Sequence, residues 1–386
     1  MSRLFYLLIL CLFLSSCIDK QKQLENKKYI LGDWIKVKAI SKPITRIQDN
    51  AIILISPSLE FITSGYSFNL DNTFENKTGY FKDNGWKFLL GTKSTFKITD
   101  DSLSLFNLDN KNWYSFKLLK LSADSLKMGR GEEYFNFVHP HVTRDHMPDF
   151  DKIIISTSGC FGTCQISNTI IQSNGAVLFD GKHHTTKIGL YRGLISKEQY
   201  TEILNNFKKA AIDSLKTRYE AGHTDDQTIT VTFEKNGKIY KTISDYGRSA
   251  PTQFVWAYLP LEFLYQTISL KPLKFPEFSQ DTTLIMSPVF SKGKMEFGLT
   301  QSENFLLYNY LLEGKLSNKA FLPLYKIEVF YHRNSIFKPN SSYNAITDGR
   351  YYKFIIKGKP ITIDIGLNFY EVNATNMHWR ETEKEK

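Results

Sequence analysis

Over residues 29–138 apolar and polar residues alternate in short runs. Phe96/Ile98 and Leu103/Leu105 keep a period of two, and Asp71-Asn72, Asp100-Asp101 and Ala123-Asp124 interrupt the runs. That period places every second side chain on one face, which predicts half-buried strands. Strands spaced this regularly, with no helical period among them, predict an antiparallel meander forming a sandwich or barrel.

Residues 139–150, HPHVTRDHMPDF, lose the periodicity and carry Pro140 and Pro148, so they read as a linker. Beyond it, Ile153-Ile154-Ile155 is a short apolar strand. ISNTIIQSNGAVLFDG reads as a hairpin with a type I′ turn at Asn174-Gly175, and QTITVTFEKNGKIYKTISDY as a second one turning at Asn236-Gly237. Between them Ser196 and Gln199 form a capping box. Tyr200, Ile203, Leu204, Phe207 and Ala211 then recur at helical spacing and give one apolar face. A second helix carries Pro251 in its first turn and breaks or kinks at Pro260. The order over 151–270 is β-β-β-α-β-β-α, an α+β domain.

Residues 271–283, with Pro272 and Pro276, form another linker. Residues 284–380 add a short helix ending at Gly314, a strand in PLYKIEVFYH, and a strand pair turning near Gly358 that is entered through Asp348-Gly349. They make a C-terminal α+β unit that either folds alone or packs on the middle domain. The expected fold class is multidomain: an N-terminal antiparallel β meander or barrel followed by α+β domains.

The N-terminus changes the picture. Arg3 precedes an apolar run from Leu4 to Leu14, followed by Ser15, Ser16 and Cys17. This is the pattern of an export signal, too short to span a bilayer stably. Leu14-Ser15-Ser16-Cys17 resembles the lipobox of bacterial lipoproteins. That resemblance implies a signal peptide over 1–16, acylation of Cys17 and a membrane anchor at the cell envelope of a Gram-negative bacterium, with Ile18 pointing to the outer membrane. Acyl chains anchor through the hydrophobic effect, about 0.8 kcal/mol per buried methylene. Residues 17–28, polar and charged, are then a lipid-anchored tether.

The formal net charge is +10, from 49 basic and 39 acidic side chains. Lysine is scattered among acidic residues along the whole chain, so no basic face for nucleic acid is expected. With 42% hydrophobic and 14% aromatic residues the chain can bury real cores.

Gly32-x-Trp34 in LGDWIKV, with the later FKITDDSLSL and KLSADSLKM hairpins, resembles lipocalin-like domains, in which this Trp plugs the barrel base. The resemblance covers residues 29–138 and assigns Gly32 and Trp34 a structural role. Gly159, Cys160, Phe161, Gly162, Thr163 and Cys164, with Asn174-Gly175 and Ala250-Pro251, resemble an uncharacterised family of bacterial domains with a G-C-F-G-T-C-P-x-Y signature. Gln165 and Ser167 stand where that family has Pro and Tyr. The resemblance implies a fold and no reaction.

Of four cysteines, Cys11 leaves with the signal and Cys17 carries lipid, so Cys160 and Cys164 remain, in an oxidising compartment. Such a pair reads first as a disulfide, and C-x3-C across a glycine turn fits the Cα separation of about 4.4–6.8 Å that a disulfide needs. Three alternatives stay open. Redox exchange ordinarily uses C-x-x-C at a helix N-terminus. A metal site needs three or four ligands, of which His183 and His184, adjacent in a strand, supply one at most. A cysteine nucleophile lacks an accompanying elbow or oxyanion motif.

His139, His141, Asp145 and His146 are candidate cation ligands or solvated linker residues. Asp225-Asp226 is an acid/base pair or a turn, and Arg248 a ligand contact or a surface residue. P-loop, G-x-S-x-G, H-E-x-x-H and G-x-G-x-x-G motifs are absent, and no metal or cofactor is expected. The expectation is a non-enzymatic binding module, taking a small apolar ligand in the barrel or a protein or glycan partner. The alternative is a thiol-dependent envelope enzyme or redox partner using Cys160 and Cys164.

Overall fold

The computed structural model describes residues 21–37, 44–48, 51–55, 64–83, 87–140, 147–274, 288–329, 345–356, 358–374 and 379–381. The expected signal and Cys17, His141, Asp145 and His146, and the expected linker from 275 onward lie outside them. The chain divides into two compact units, residues 1–142 and 143–386.

In the first unit the strands are β1 (Gly32–Val37), β2 (Ile44–Gln48), β3 (Ala51–Ile55), β4 (Gly65–Phe68), β5 (Thr73–Asp83), β6 (Lys87–Ile98), β7 (Ser102–Asn107), β8 (Asn112–Leu121), β9 (Ser125–Arg130) and β10 (Glu133–Val138). Eight of them close an antiparallel barrel in the order β1-β10-β9-β8-β7-β6-β5-β4, and β2 pairs with β3 as a separate hairpin. The alternation read from sequence points inward: Phe96 and Ile98, Leu103 and Leu105, Leu126 and Met128 are buried. Tyr66, Phe68, Phe74, Phe96 and Phe137 stack through ring contacts of 5.0–5.7 Å.

Trp34, Phe74, Leu103, Leu126, Met128 and Phe137 have no exposed surface, so no water-sized space lies beside them. These six side chains form a packed layer, as is usual in small barrels. Trp34 Nε1 donates to the Ile30 carbonyl at 2.7 Å, and the Trp34 ring lies 3.8 Å from that of His139. Gly32 turns the chain into β1 at φ +101°, a conformation that favours glycine. The stretch expected to be a loose tether is helical over residues 21–29. It is docked on the barrel: Asn26 Nδ2 donates to the carbonyls of Thr99 and Asp100 at 2.9 and 3.1 Å.

The second unit holds two eight-stranded sheets. In the first, β11 (Lys152–Thr157), β12 (Ile166–Gln172), β13 (Ala176–His183), β14 (Gly189–Leu194), β15 (Arg218–Glu220), β16 (Thr228–Lys235), β17 (Lys238–Tyr246) and β18 (Leu270–Pro272) order as β15-β17-β16-β11-β12-β13-β14-β18. Only β15/β17 pair in parallel. The helices Lys197–Lys209 and Thr252–Glu262 contribute to a core with one face of the sheet, where Ile153, Ile155, Val231 and Phe233 meet Phe207 and Phe254. Ser196 and Gln199 make the capping box. The first helix stops at Lys209, so that Ala211, expected on its apolar face, sits at φ +50° beyond its end. Pro260, lacking an N–H, lies in the last turn of the second helix, which is capped at Phe263 and followed by a short helix, Leu264–Thr267.

The opposite face of this sheet carries Ile154, Ile170, Leu178, Leu190 and Ile239. The helix Gln301–Glu313 lies on it, buried from Ser302 through Leu311. A helix buried all round needs cover on every side. The second sheet supplies the rest, with Phe290, Phe297, Ile327, Tyr352 and Ile363 in the same cluster. The C-terminal segment therefore shares one core with the middle segment.

Candidate functional site

Cys160 and Cys164 sit in the loop between β11 and β12, at disulfide distance with their Cα atoms 5.6 Å apart. Hydrogen bonds pin this loop from several sides. Gln227 Nε2 donates to the carbonyls of Ser158 and Gln165 at 2.8 and 2.6 Å, and the Phe161 N–H to the Asp225 carbonyl at 3.1 Å. His184 Nδ1 lies 3.1 Å from the Cys164 carbonyl. Phe161 projects from the loop 89% exposed.

The fold gathers residues far apart in sequence at this end of the sheet. Asp225, at φ +72°, contributes its carbonyl to the loop. Asp226 contributes its carboxylate to His223, whose Nε2 lies 3.0 Å from Oδ2, and accepts the Gln227 N–H. Those two hydrogen bonds hold the Asp226 carboxyl below the usual carboxylate range. The two aspartates thus face different partners. Arg248, at φ +53°, pairs with the buried Glu262 at 3.3 Å, which raises the guanidinium pKa above its ordinary value. His184, Asp225 and Arg248 all hold left-handed backbone, a conformation that costs free energy in non-glycine residues and is kept only where the surroundings enforce it.

Sequence reasoning missed His223, Gln227 and Glu262. Their signal, polar residues near the flagged Asp225-Asp226 and Arg248, is too common to find them. Gln165 and Ser167 have work of their own. Gln165 is buried, donates to the Glu262 carbonyl at 2.7 Å and accepts from the Tyr265 hydroxyl at 3.3 Å. The Ser167 N–H donates to Thr157 Oγ1 at 3.0 Å. Gln165 braces the loop against the helical layer, and Ser167 ties β12 to β11 at the base of the loop.

The two sulfurs face each other across the loop at disulfide distance. Strand β12, not a helix, follows Cys164, so no helix N-terminus lowers a thiol pKa. Among the described residues no group of three His, Cys, Asp or Glu side chains is placed to hold a metal ion. His139 belongs to the barrel, its Nδ1 lying 2.7 Å from the Asp33 carbonyl. Also among the described residues, no helix is long and apolar enough to cross a membrane.

A buried polar row crosses the sheet near the loop. Asn168 pairs in register with Asp180, which has no exposed surface. Lys182 Nζ reaches Asp180 Oδ2 at 3.0 Å, while Oδ1 has no partner. Burial raises the Asp180 pKa despite Lys182 and Asn168. An acid with a raised folded-state pKa adds stability below its unfolded value, about 3.9, and that contribution is lost as pH rises through the folded value. Asp180→Asn should remove this loss. Its melting midpoint at pH 7 should exceed that of the unsubstituted protein by about 2–4 °C per kcal/mol regained, with the gap closing towards about pH 4. Identical pH slopes in thermal melts of the two proteins would disprove it.

The arrangement is a closed barrel followed by a helix-covered antiparallel sheet with a clamped cysteine loop. Residues 151–265 form a domain of a family described as Domain of unknown function (DUF6438), less than a third of the chain. No curated protein sequence matches the chain. Solved structures it matches include two of the Helicobacter pylori beta clamp. The one bound to a DNA ligase peptide is 8% identical, with 90% of this chain and 97% of that chain covered and a TM-score of 0.14. The one in complex with Diflunisal is 6% identical, with the same coverage and a TM-score of 0.13. TM-scores this low do not mark a shared fold.

Proposed function

We propose that this chain is a lipid-anchored protein of the cell envelope, held at the outer membrane through Cys17, and that it acts as a binding module for a protein partner. The observation that carries the reading is the loop at 158–165. It presents an exposed aromatic ring on backbone restrained by the Cys160–Cys164 pair and by hydrogen bonds from three directions. Aromatic anchors dominate interface energetics, and a loop ordered before binding avoids much of the entropic cost of being ordered on binding. A disulfide also suits the oxidising compartment that the signal implies. With residues 21–29 docked on the barrel, only a few residues separate Cys17 from folded structure, so the barrel would sit close to the bilayer.

The test places a photoreactive amino acid at position 161 of the full chain in intact envelopes. The expected result is a discrete adduct absent when the probe stands at Leu322, which is also exposed, and lost in a Cys160→Ser/Cys164→Ser background. Labelled palmitate should enter the protein and fail to enter Cys17→Ser. Identical adduct patterns at 161 and 322 refute the recognition loop, and no palmitate label refutes the anchor.

A further inference from the structure

A second site lies at the other end of the strands and does not depend on the recognition loop. The helix Gln301–Glu313 packs over β11, β16 and β12. Beside it, over the outer strands of the same sheet, is a cavity of about 570 Å³. That volume is in the range of small-molecule sites. Its walls include Ala176, Leu178 and Leu194 from the strands and Asn309 and Glu313 from the helix.

Two cations line it side by side. Leu178 is the ladder partner of Arg192, and Arg192 of Lys271, so the three side chains form one row on one face. Like charges directly opposite on neighbouring strands repel. Among the described residues neither Arg192 nor Lys271 has an ion-pair partner. Glu313, the one carboxylate in the wall, accepts from Gln172 Nε2 at 3.3 Å. Asn309 is 2% exposed, and its Nδ2 has no hydrogen-bond partner. That amide nitrogen is itself buried, so it lies behind the cavity wall and does not face a ligand.

We infer that this cavity binds a small amphiphilic carboxylate, its head between Arg192 and Lys271, its alkyl chain over Leu178 and Leu194. A carboxylate relieves the cation pair through charge-assisted hydrogen bonds, and the apolar wall gains by covering the chain.

The test is calorimetric titration of the full chain, made as Cys17→Ser so that no attached acyl chain competes, with octanoate as the probe. The expected result is saturable binding at one site, with acetate and octan-1-ol each weaker by about tenfold or more. Arg192→Gln/Lys271→Gln should weaken octanoate by about tenfold or more and leave octan-1-ol within about twofold. Both residues are exposed, so the variant should fold. Three results would overturn the assignment: no saturable octanoate binding, octan-1-ol binding as tightly as octanoate, or an unchanged affinity in the double variant.

Discussion

A chain ending after residue 274 is expected to lose the fold of its second unit, although it retains every residue of the DUF6438 match. The truncation removes the helix Gln301–Glu313 and the sheet behind it, and so uncovers Ile154, Ile170, Leu178, Leu190 and Ile239 together. Burying one such side chain is worth about 1.5–3 kcal/mol. Five of them rival the whole stability of an ordinary domain, about 5–15 kcal/mol. Buried hydrogen bonds go as well: Thr232 Oγ1 to Ser302 Oγ at 2.7 Å, and the Ile239 N–H to Asn373 Oδ1 at 2.7 Å. The shortened chain should bind a hydrophobic dye, and limited proteolysis should trim it to a barrel-sized fragment. A protease-resistant 147–274 segment with a sharp unfolding transition would show that the middle segment has a sufficient core of its own.

Trp34→Ala should unfold or nearly unfold the barrel. The side chain has no exposed surface, and large aromatic-to-alanine changes in cores cost about 3–5 kcal/mol. The Ile30 carbonyl also loses its donor where the chain enters β1. Trp34→Phe separates the two effects. It keeps most of the packing and leaves the carbonyl unpaired, for about 1–3 kcal/mol. Thermal melts of the full chain should show the barrel transition falling furthest in Trp34→Ala, less in Trp34→Phe, and the transition of the second unit unmoved. A Trp34→Ala barrel that melts within about 1 kcal/mol of the parent would mean that the residue is not the closing element.

Much of the local structure was legible because it rests on nearest-neighbour chemistry. Ser196 and Gln199 satisfy orphan amides at the start of one helix whatever lies around them. The period of two in FKI and LSL fixes which side chains share a face, and those side chains line the barrel. The candidate site was legible only in parts. Cys160, His184, Asp225 and Arg248 each drew notice, but nothing in their spacing says that they meet. Strand order brings β11, β12, β13 and β16 side by side, and so delivers their connecting loops to one end.

The two Asn-Gly turns mark the boundary between local and tertiary control. Asn236 and Gly237 both hold positive φ, as a type I′ turn requires, with the Asn236 N–H donating to Asp151 Oδ2. At Asn174-Gly175 only the glycine is left-handed, and the turn closes from the Gly175 N–H to the Gln172 carbonyl. There the Ile195 N–H donates to the Gly175 carbonyl, and a Cβ on Gly175 would run into the Ile195 carbonyl. The same dipeptide takes two forms, with a different segment bonded to each: Asp151 at Asn236-Gly237 and Ile195 at Asn174-Gly175.

By itself the sequence determined most of the element types, the helix caps and the inward face of the barrel strands. Each of these depends on residues a few positions apart. The tertiary structure alone decided that the middle and C-terminal segments share one core, that the scattered polar residues converge beside the cysteine loop, and that Arg192 and Lys271 stand together over a cavity. Each of these depends on strand order and layer packing, which free energy settles over the whole chain and which no local window contains.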